Sequence, residues 1–169
     1  MTQATQPARI EDVLSEATAE CWAFAFRLVG DREAAEDAVQ DAYLRVLRSR
    51  SVKRRIVSGE RGLLFRVVYS CSVDELRRRK RRGRLLAELQ SVPPRAVIGN
   101  DGRSGALTAA LAALDVDERA AVLLVDVHGL SYAEAADALR VQRGTLASRL
   151  HHARARLRAA LKQQLAEVP

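Results

Sequence analysis

The feature that most constrains this fold is a short break between two helical patterns near residue 142. Ser131 and Glu134 form the S-x-x-E pattern of a capping box, which predicts where the first helix begins. After the break, apolar residues recur at helical spacing and predict a second helix from about Gln142 to Leu161, with its buried stripe at Leu146, Leu150, Ala153, Leu157 and Leu161. Two helices joined by so short a turn indicate a helix-turn-helix.

The face of the second helix opposite this stripe is small, polar and basic. Ser148 and His151 point outward, His152 lies beside them, and Arg143 occupies the first turn. The positive end of a helix favours contact with phosphate, so this face suits binding in a DNA groove. An ordinary helical hairpin with a solvated basic face is the alternative.

The rest of the chain is also helical in pattern, and a linker divides it. Residues 91–105 (SVPPRAVIGNDGRSG) concentrate prolines, glycines and turn formers. Aromatic residues make up only 4% of a chain in which 48% of residues are hydrophobic, which favours small helical bundles. We therefore predict an all-α protein with two small domains, residues 8–90 and 106–165, joined by a flexible linker at 91–105.

Three helices are predicted in the first domain. The first ends at Gly30, and Asp31 caps a second that runs to about Arg50. The second helix turns an acidic face with one leucine outward, which is either a docking surface or an ordinary exposed face: Asp37, Gln40, Asp41 and Leu44. Residues 49–62 are predicted to be a basic loop. A third helix begins near Leu63, with Arg66, Tyr69 and Ser70 on its outer face.

In the second domain, the pattern before the helix-turn-helix predicts two more helices. Leu107, Leu111 and Leu114 indicate a short amphipathic helix. Asp117 is predicted to cap the next helix, and Gly129 to end it.

Positive charge is concentrated in one run. The net charge is +7, and residues 77–84 (RRRKRRGR) alone carry seven positive charges, so the remaining chain sums to zero. The run favours a polyanionic partner, with a solvated helix end as the alternative. Cys21 and Cys71 are predicted to be buried free thiols, and the histidines have no metal-ligand spacing. We expect no cofactor, no metal, no catalytic function and no membrane segment, and therefore a cytoplasmic protein.

Three segments together resemble a known family, the extracytoplasmic function group of bacterial sigma factors within the sigma-70 superfamily. They are GDREAAEDAVQDAYLRVL (30–47), LLFRVVYSCSVDELRRRKRR (63–82) and GLSYAEAADALRVQRGTLASRLHHARARLRAAL (129–161). The resemblance covers residues 28–82 and 107–161, in order. It implies a transcription initiation factor whose first domain binds the polymerase clamp helices and the promoter −10 element. The second domain would bind the −35 element and the polymerase flap.

The resemblance also implies roles for individual residues. Asp37, Gln40 and Asp41 match the clamp-binding helix, and Leu44 shares their face. The predicted −10 contacts, to double-stranded promoter DNA and its opened strand, are Lys53, Arg54, Arg55, Arg66, Tyr69, Ser70, Arg77, Arg78 and Arg79. The predicted −35 contacts are Arg143, Thr145, Ser148, Arg149 and His152. An anti-sigma partner is expected from the family alone.

Several positions depart from the family pattern. Leu63 and Ser70 replace its Trp and Asn, and residues 53–55 (KRR) stand in a loop that usually carries an aromatic. Ala147 replaces a lysine, and Arg140 and Gln142 replace the Gly and Pro of the turn. These changes predict an unusual promoter sequence. Two other functions stay open: a sigma-like DNA-binding regulator, and a sigma mimic that sequesters partners without opening promoters.

Overall fold

The computed structural model describes residues 9–89 and 102–166, and every regular element within them is helical. The elements are α1 (Ile10–Val29), α2 (Arg32–Arg48), α3 (Arg50–Val57), α4 (Arg61–Leu89), α5 (Gly102–Ala112), α6 (Val116–Val122), a π-helical turn (Leu123–Val127), α7 (Tyr132–Leu139) and α8 (Arg143–Ala166). The predicted all-α class is confirmed. No helix in the described ranges combines the length and apolarity needed to cross a membrane.

The junction between α1 and α2 forms as its residues predict. Gly30 takes the left-handed conformation at φ 75° and closes α1, which glycine does without a Cβ penalty. The Asp31 carboxylate then accepts a hydrogen bond from the Ala34 amide at 3.0 Å and caps α2. The two helices pack with α4 around a core that includes Phe24, Leu28, Val46, Phe65 and Val68.

The segment predicted as a loop at 49–62 contains a helix instead, so that prediction was wrong. The Ser49 hydroxyl caps α3 by accepting from the Val52 amide at 3.4 Å, and Ile56 is buried against the first domain. One capping hydrogen bond and one buried side chain are enough to stabilise α3, because the helix is short and packs on its neighbours. The basic composition of the segment concealed this pattern.

The start of the second domain also differs from expectation. α5 begins at Gly102, inside the predicted linker, while residues 90–101 lie outside the described residues. Asp115, rather than Asp117, caps α6, because its carboxylate accepts from the amides of Asp117 and Glu118 at 3.0 and 2.8 Å. Asp117 lies in the first turn of α6, and its side chain does not cap the helix.

The helix-turn-helix forms at the predicted place. The reciprocal capping box of Ser131 and Glu134 is present at the start of α7. Arg140 ends α7 in the left-handed conformation at φ 56°, which costs a non-glycine residue about 1 kcal/mol. Leu146 and Leu150 of α8 are fully buried, so the predicted stripe faces the core.

The two domains contact each other directly. α4 of the first domain packs against α7 of the second. His128, which follows the π-helical turn, is buried among Phe24 and Phe65 of the first domain, with ring centroids 5.7 and 4.8 Å away. The Arg119 guanidinium donates to the Leu28 carbonyl at 2.8 Å.

Candidate polymerase and DNA interfaces

The outer face of α2 carries the residues predicted to dock on polymerase. Asp37, Gln40 and Leu44 are exposed, and Leu44 keeps 49% of its surface accessible. Leu47, which is not among the predicted docking residues, is also exposed and lies one helical turn after Leu44. Its i+3 spacing was the available signal. The face therefore offers two apolar side chains beside acidic and amide groups.

Asp41 on the same helix is not free. Its carboxylate faces the Arg78 guanidinium of α4 at 3.4 Å. Asp41 was predicted to bind polymerase and Arg78 to bind DNA, so the structure joins one member of each predicted site. Asp37 has no ion-pair partner among the described residues. A substitution at Asp37 therefore tests docking without also breaking an internal pair.

The arginine run on α4 is largely paired with carboxylates of its own domain. Glu75 is only 4% exposed and lies 3.4, 3.5 and 2.7 Å from the guanidinium groups of Arg78, Arg79 and Arg82. Arg79 also bonds Asp31 at 2.5 Å, and this contact lowers the pKa of the Asp31 carboxyl. Such pairing fixes the arginines in place and reduces their net positive field.

Two cations in the run have no ion-pair partner among the described residues. Lys80 and Arg81 are exposed, and neither pairs with the buried Glu75 carboxylate. Arg77 lies 3.9 Å from Asp74 and keeps 72% of its side chain exposed. Of the three predicted contacts in the run, Arg78 and Arg79 are closely paired, whereas Arg77 stays as available as Lys80 and Arg81, which were not predicted. Only the positions of the acidic partners could have revealed this.

α3 presents its predicted contacts unevenly. Arg55 makes a bidentate pair with Glu60, with nitrogen–oxygen distances of 2.9 and 2.6 Å. The pairing raises the pKa of Arg55 and lowers that of Glu60. Arg54 is exposed and Lys53 half-buried, and neither has an ion-pair partner in the described chain. Among the predicted contacts on α3, the charge without an ion-pair partner therefore lies at residues 53 and 54.

The outer face of α4 meets the second domain. The Tyr69 hydroxyl donates to the Asp117 carboxylate at 2.6 Å, and burial together with this bond raises the Tyr69 pKa. Arg66 and Ser70 line a cavity of about 290 Å³ that also includes Arg140 of the second domain. The three predicted −10 contacts on this face are therefore partly covered.

The first turns of α8 are open to solvent. Four of the five predicted −35 contacts are exposed: Arg143, Thr145, Ser148 and His152. The fifth, Arg149, is half-buried and pairs with Asp117 at 2.8 Å. The arrangement can place a helix N-terminus and small polar side chains in a groove.

The later arginines of α8 are engaged within the second domain. Arg154 forms a bidentate pair with Asp126 at 3.0 and 2.6 Å, which raises the Arg154 pKa. Arg156 bonds Glu118 at 2.5 Å. Both guanidinium groups are therefore engaged in ion pairs within the second domain.

Both cysteines lie in the helical core, away from solvent. Cys21 and Cys71 are free and buried, as predicted, and burial raises the pKa of the Cys21 thiol to about 11. The described residues contain no group of three or more His, Cys, Asp or Glu side chains that could hold a metal ion.

Two family models match the chain in separate segments. Sigma-70 region 2 matches residues 18–82, and the region 4 model of sigma-70 matches residues 104–157. Together they cover more than half of the sequence. The predicted linker at 91–105 falls largely in the gap between the two segments and overlaps the start of the second by two residues, and its bounds stay a prediction.

Curated relatives carry consistent names. The chain is 39% identical over 150 residues to the ECF RNA polymerase sigma factor SigE of Mycolicibacterium smegmatis, covering 85% of this chain but only 58% of that relative. It is 30% identical over 164 residues to the ECF RNA polymerase sigma factor SigL of Mycobacterium tuberculosis, covering 95% of this chain and 93% of SigL.

Solved structures share the fold. The sigma factor RpoE of Bartonella quintana, in complex with the anti-sigma factor NepR, superposes with a TM-score of 0.69 at 26% identity over 90% of this chain and 96% of RpoE. CnrH in complex with the cytosolic domain of CnrY gives a TM-score of 0.65 over 91% of this chain and 88% of CnrH. At 22% identity the second match concerns the fold alone.

Proposed function

The chain belongs to the extracytoplasmic function group of sigma-70 RNA polymerase sigma factors, and we propose that it binds core RNA polymerase and directs it to specific promoters. The polymerase performs the chemistry, while this protein supplies docking and base recognition. The chain spans 58% of the SigE relative and 93% of SigL, so SigL is the fuller guide to its activity.

The observation that carries the proposal is the simultaneous exposure of two unlike surfaces. The α2 face offers Asp37, Gln40, Leu44 and Leu47 to solvent, while α8 offers the first turns of a helix-turn-helix. A DNA-binding regulator needs only the second surface. Exposed leucines among acidic groups support a protein partner, which we propose is the clamp helices of the polymerase β′ subunit.

On the DNA side, we propose that α8 binds the −35 element and that α3 and α4 bind the −10 element. Arg143, Thr145 and Ser148 would contact bases or phosphates from the first turns of α8. Arg54, Lys80 and Arg81 supply unpaired positive charge on the first domain. Each good base contact contributes about 1–3 kcal/mol of discrimination, whereas phosphate contacts give salt-sensitive affinity.

The test is transcription in vitro with purified core polymerase and fragments of genomic DNA. We expect discrete start sites that depend on this protein. Binding to polymerase without any dependent start site would identify a sigma mimic. Binding to DNA without polymerase binding would identify a separate regulator.

Docking is tested with Asp37→Arg, whose matched control is Glu16→Arg. Both reverse one exposed carboxylate, but Glu16 lies on α1 and not on the α2 face. We expect Asp37→Arg to weaken polymerase binding at least tenfold and Glu16→Arg to leave it within twofold. Asp41→Arg is a poorer probe because it also breaks the pair with Arg78. Equal binding by the two variants would remove α2 from the docking surface.

Promoter recognition is tested with Arg143→Ala against Arg158→Ala. Both remove an exposed arginine from α8, but the two lie about 22 Å apart along the axis, given a rise of 1.5 Å per residue. We expect Arg143→Ala to reduce initiation at mapped promoters at least fivefold. Arg158→Ala should change it little.

A further inference from the structure

We infer that His151 and His152 form a proton-linked contact with DNA, so that DNA binding by α8 strengthens as the pH falls from 8 to 6. This regulation of the predicted −35 contact rests on the proposed sigma-factor function. The position of the two rings, their lack of partners and the pairing of the charges around them carry the inference.

The two rings lie on the outer face of α8. Leu146, Leu150 and Ala153 are 0% exposed and face the core, whereas His151 and His152 are exposed. The histidines follow Ser148, an exposed predicted −35 contact, by three and four residues. Side chains at these spacings are neighbours on a helix surface. Both rings therefore extend the face that the first turns of α8 present to a DNA groove.

The two imidazoles contact each other and leave their nitrogens available. Their ring centroids lie 5.6 Å apart, and the rings meet edge to face at 76°. Within residues 9–89 and 102–166, neither ring has a hydrogen-bond or ion-pair partner. No internal acceptor therefore holds either ring in one protonation state.

The arginines beside the histidines are already compensated. Each arginine in the middle turns of α8 pairs with a carboxylate of the second domain at 2.5–2.8 Å: Arg149 with Asp117, Arg154 with Asp126, and Arg156 with Glu118. Between residues 144 and 157, the two histidines are therefore the charged or titratable side chains that have no partner of opposite charge. The charge that this part of α8 offers to DNA depends on their protonation.

The elements packed against α8 place no further charge on the two rings. These elements are α5, α6 and α7. The described side chains of α5, residues 107–112, are uncharged. The other charged or titratable groups on these elements and their caps, none of which bonds either ring, are Asp115, Arg119, Tyr132, Glu134, Asp137 and Arg140. Asp115 and Glu134 cap helices, and Arg119 donates to backbone carbonyls.

The chemistry of imidazole gives the direction of the effect. Histidine is the side chain whose charge ordinarily changes between pH 5 and pH 8. A protonated ring is positive and donates from both nitrogens, which suits phosphate oxygens and the acceptor edge of guanine. Two protonated rings 5.6 Å apart repel each other, and DNA phosphates offset this repulsion. The complex therefore holds more protons than the free protein, and by reciprocity its affinity rises as the pH falls.

The first test is fluorescence anisotropy at pH 6 and pH 8 and constant salt, with a mixed-sequence duplex and with a mapped promoter fragment. We expect the wild-type chain to bind both at least fivefold more tightly at pH 6. The double variant His151→Gln and His152→Gln keeps polar side chains that cannot be protonated, so its affinity should change less than twofold. A smaller change in the wild type, or a change of twofold or more in the double variant, overturns the inference.

A second pair of variants separates proton binding from a merely structural role. The double variant His151→Arg and His152→Arg carries permanent charge, and we expect it to bind at pH 8 at least as tightly as the wild type at pH 6. The control Arg158→Gln removes an exposed charge that does not titrate in this range and should keep the wild-type pH dependence. Weaker binding by the arginine variant, or loss of the dependence in the control, contradicts the inference.

Proton uptake is measured directly by NMR, since the chain has three histidines and therefore three imidazole Cε1 proton signals. Single variants assign them. We expect the titration midpoints of His151 and His152 to move to higher pH when the mixed-sequence duplex is added. Unmoved midpoints would show that the rings do not meet DNA in a proton-linked way.

Transcription with core polymerase distinguishes a failure of this inference from a failure of the proposed function. If no start site depends on the chain while duplex binding keeps its histidine-dependent response to pH, the proposed function fails and the proton-linked contact stands. If dependent start sites form but promoter affinity is the same at pH 6 and pH 8, the proton-linked contact fails and the proposed function stands.

Discussion

The arginine run of α4 and the first turns of α8 are both basic, but they differ in how much of their charge is available. On α4, Arg78, Arg79 and Arg82 surround the buried carboxylate of Glu75. On α8, Arg143 has no ion-pair partner among the described residues and is exposed. A guanidinium already paired with a carboxylate releases fewer counterions on binding DNA. A count of arginines therefore overstates the DNA affinity of α4 relative to α8.

The largest expected effect comes from breaking the α4 cluster with Glu75→Gln. The substitution leaves three guanidinium groups around a neutral amide, so we expect unfolding to be easier by about 2–3 kcal/mol, discounted for the partial exposure of the arginines. Urea denaturation measures this. The control is Glu36→Gln, which removes an exposed pair with Arg32 and should cost less than about 0.5 kcal/mol. Similar losses for both would mean that the Glu75 cluster contributes no more than a surface pair.

The next effect is in the salt dependence of DNA binding. Arg143→Ala should reduce the slope of log K against log salt by about 0.9, the value for one lost phosphate contact, if its charge meets the backbone. Arg79→Ala should change the slope much less, because Asp31 and Glu75 already compensate that charge. Fluorescence anisotropy with a duplex promoter fragment at several salt concentrations measures both. A larger change for Arg79→Ala would reverse the contrast between the two regions.

The smallest effect is a pH dependence at the contact between the domains. Burial lowers the pKa of His128 below 6.5, and Glu20 opposes this while Arg61 and Arg27 add to it. Because the unfolded chain binds the proton more readily, stability is complete above pH 6.5 and falls as the pH drops toward the folded pKa. The slope cannot exceed about 1.4 kcal/mol per pH unit for one proton.

His128→Leu should flatten this dependence, whereas His151→Leu, at an exposed position, should keep it. Urea denaturation between pH 5 and pH 8, at intervals of about half a unit, gives the comparison. The same pH range also probes the contact between the two domains, because a protonated His128 is disfavoured in its buried position beside Phe24 and Phe65. Unchanged pH dependence in His128→Leu would show that another group is responsible.

Local chemistry explains which parts of the fold were predictable. Gly30, Asp31 and the capping box at Ser131 act through their own backbone and side chains within a few residues, so their roles follow from sequence. α3 was missed because its stability depends on burying Ile56 against other helices. The cap at Asp115 was misassigned to Asp117 because either aspartate fits the pattern, and only hydrogen-bond geometry distinguishes them.

The candidate sites also combine features that follow from local sequence with features that depend on packing. By itself, the sequence determined the all-α class, the helix-turn-helix, the outward faces of α2 and α8, and the family, because helical periodicity and short-range caps set which side chains face outward. The tertiary structure decided which charges pair between elements. Asp41 with Arg78 and Tyr69 with Asp117 are pairs between different helices, and only the packing of the helices sets distances of a few ångströms between such groups. Glu75, by contrast, meets Arg78 and Arg79 at i+3 and i+4 on α4 itself, so helical spacing alone brings them together, and the structure adds that the Glu75 carboxylate is buried.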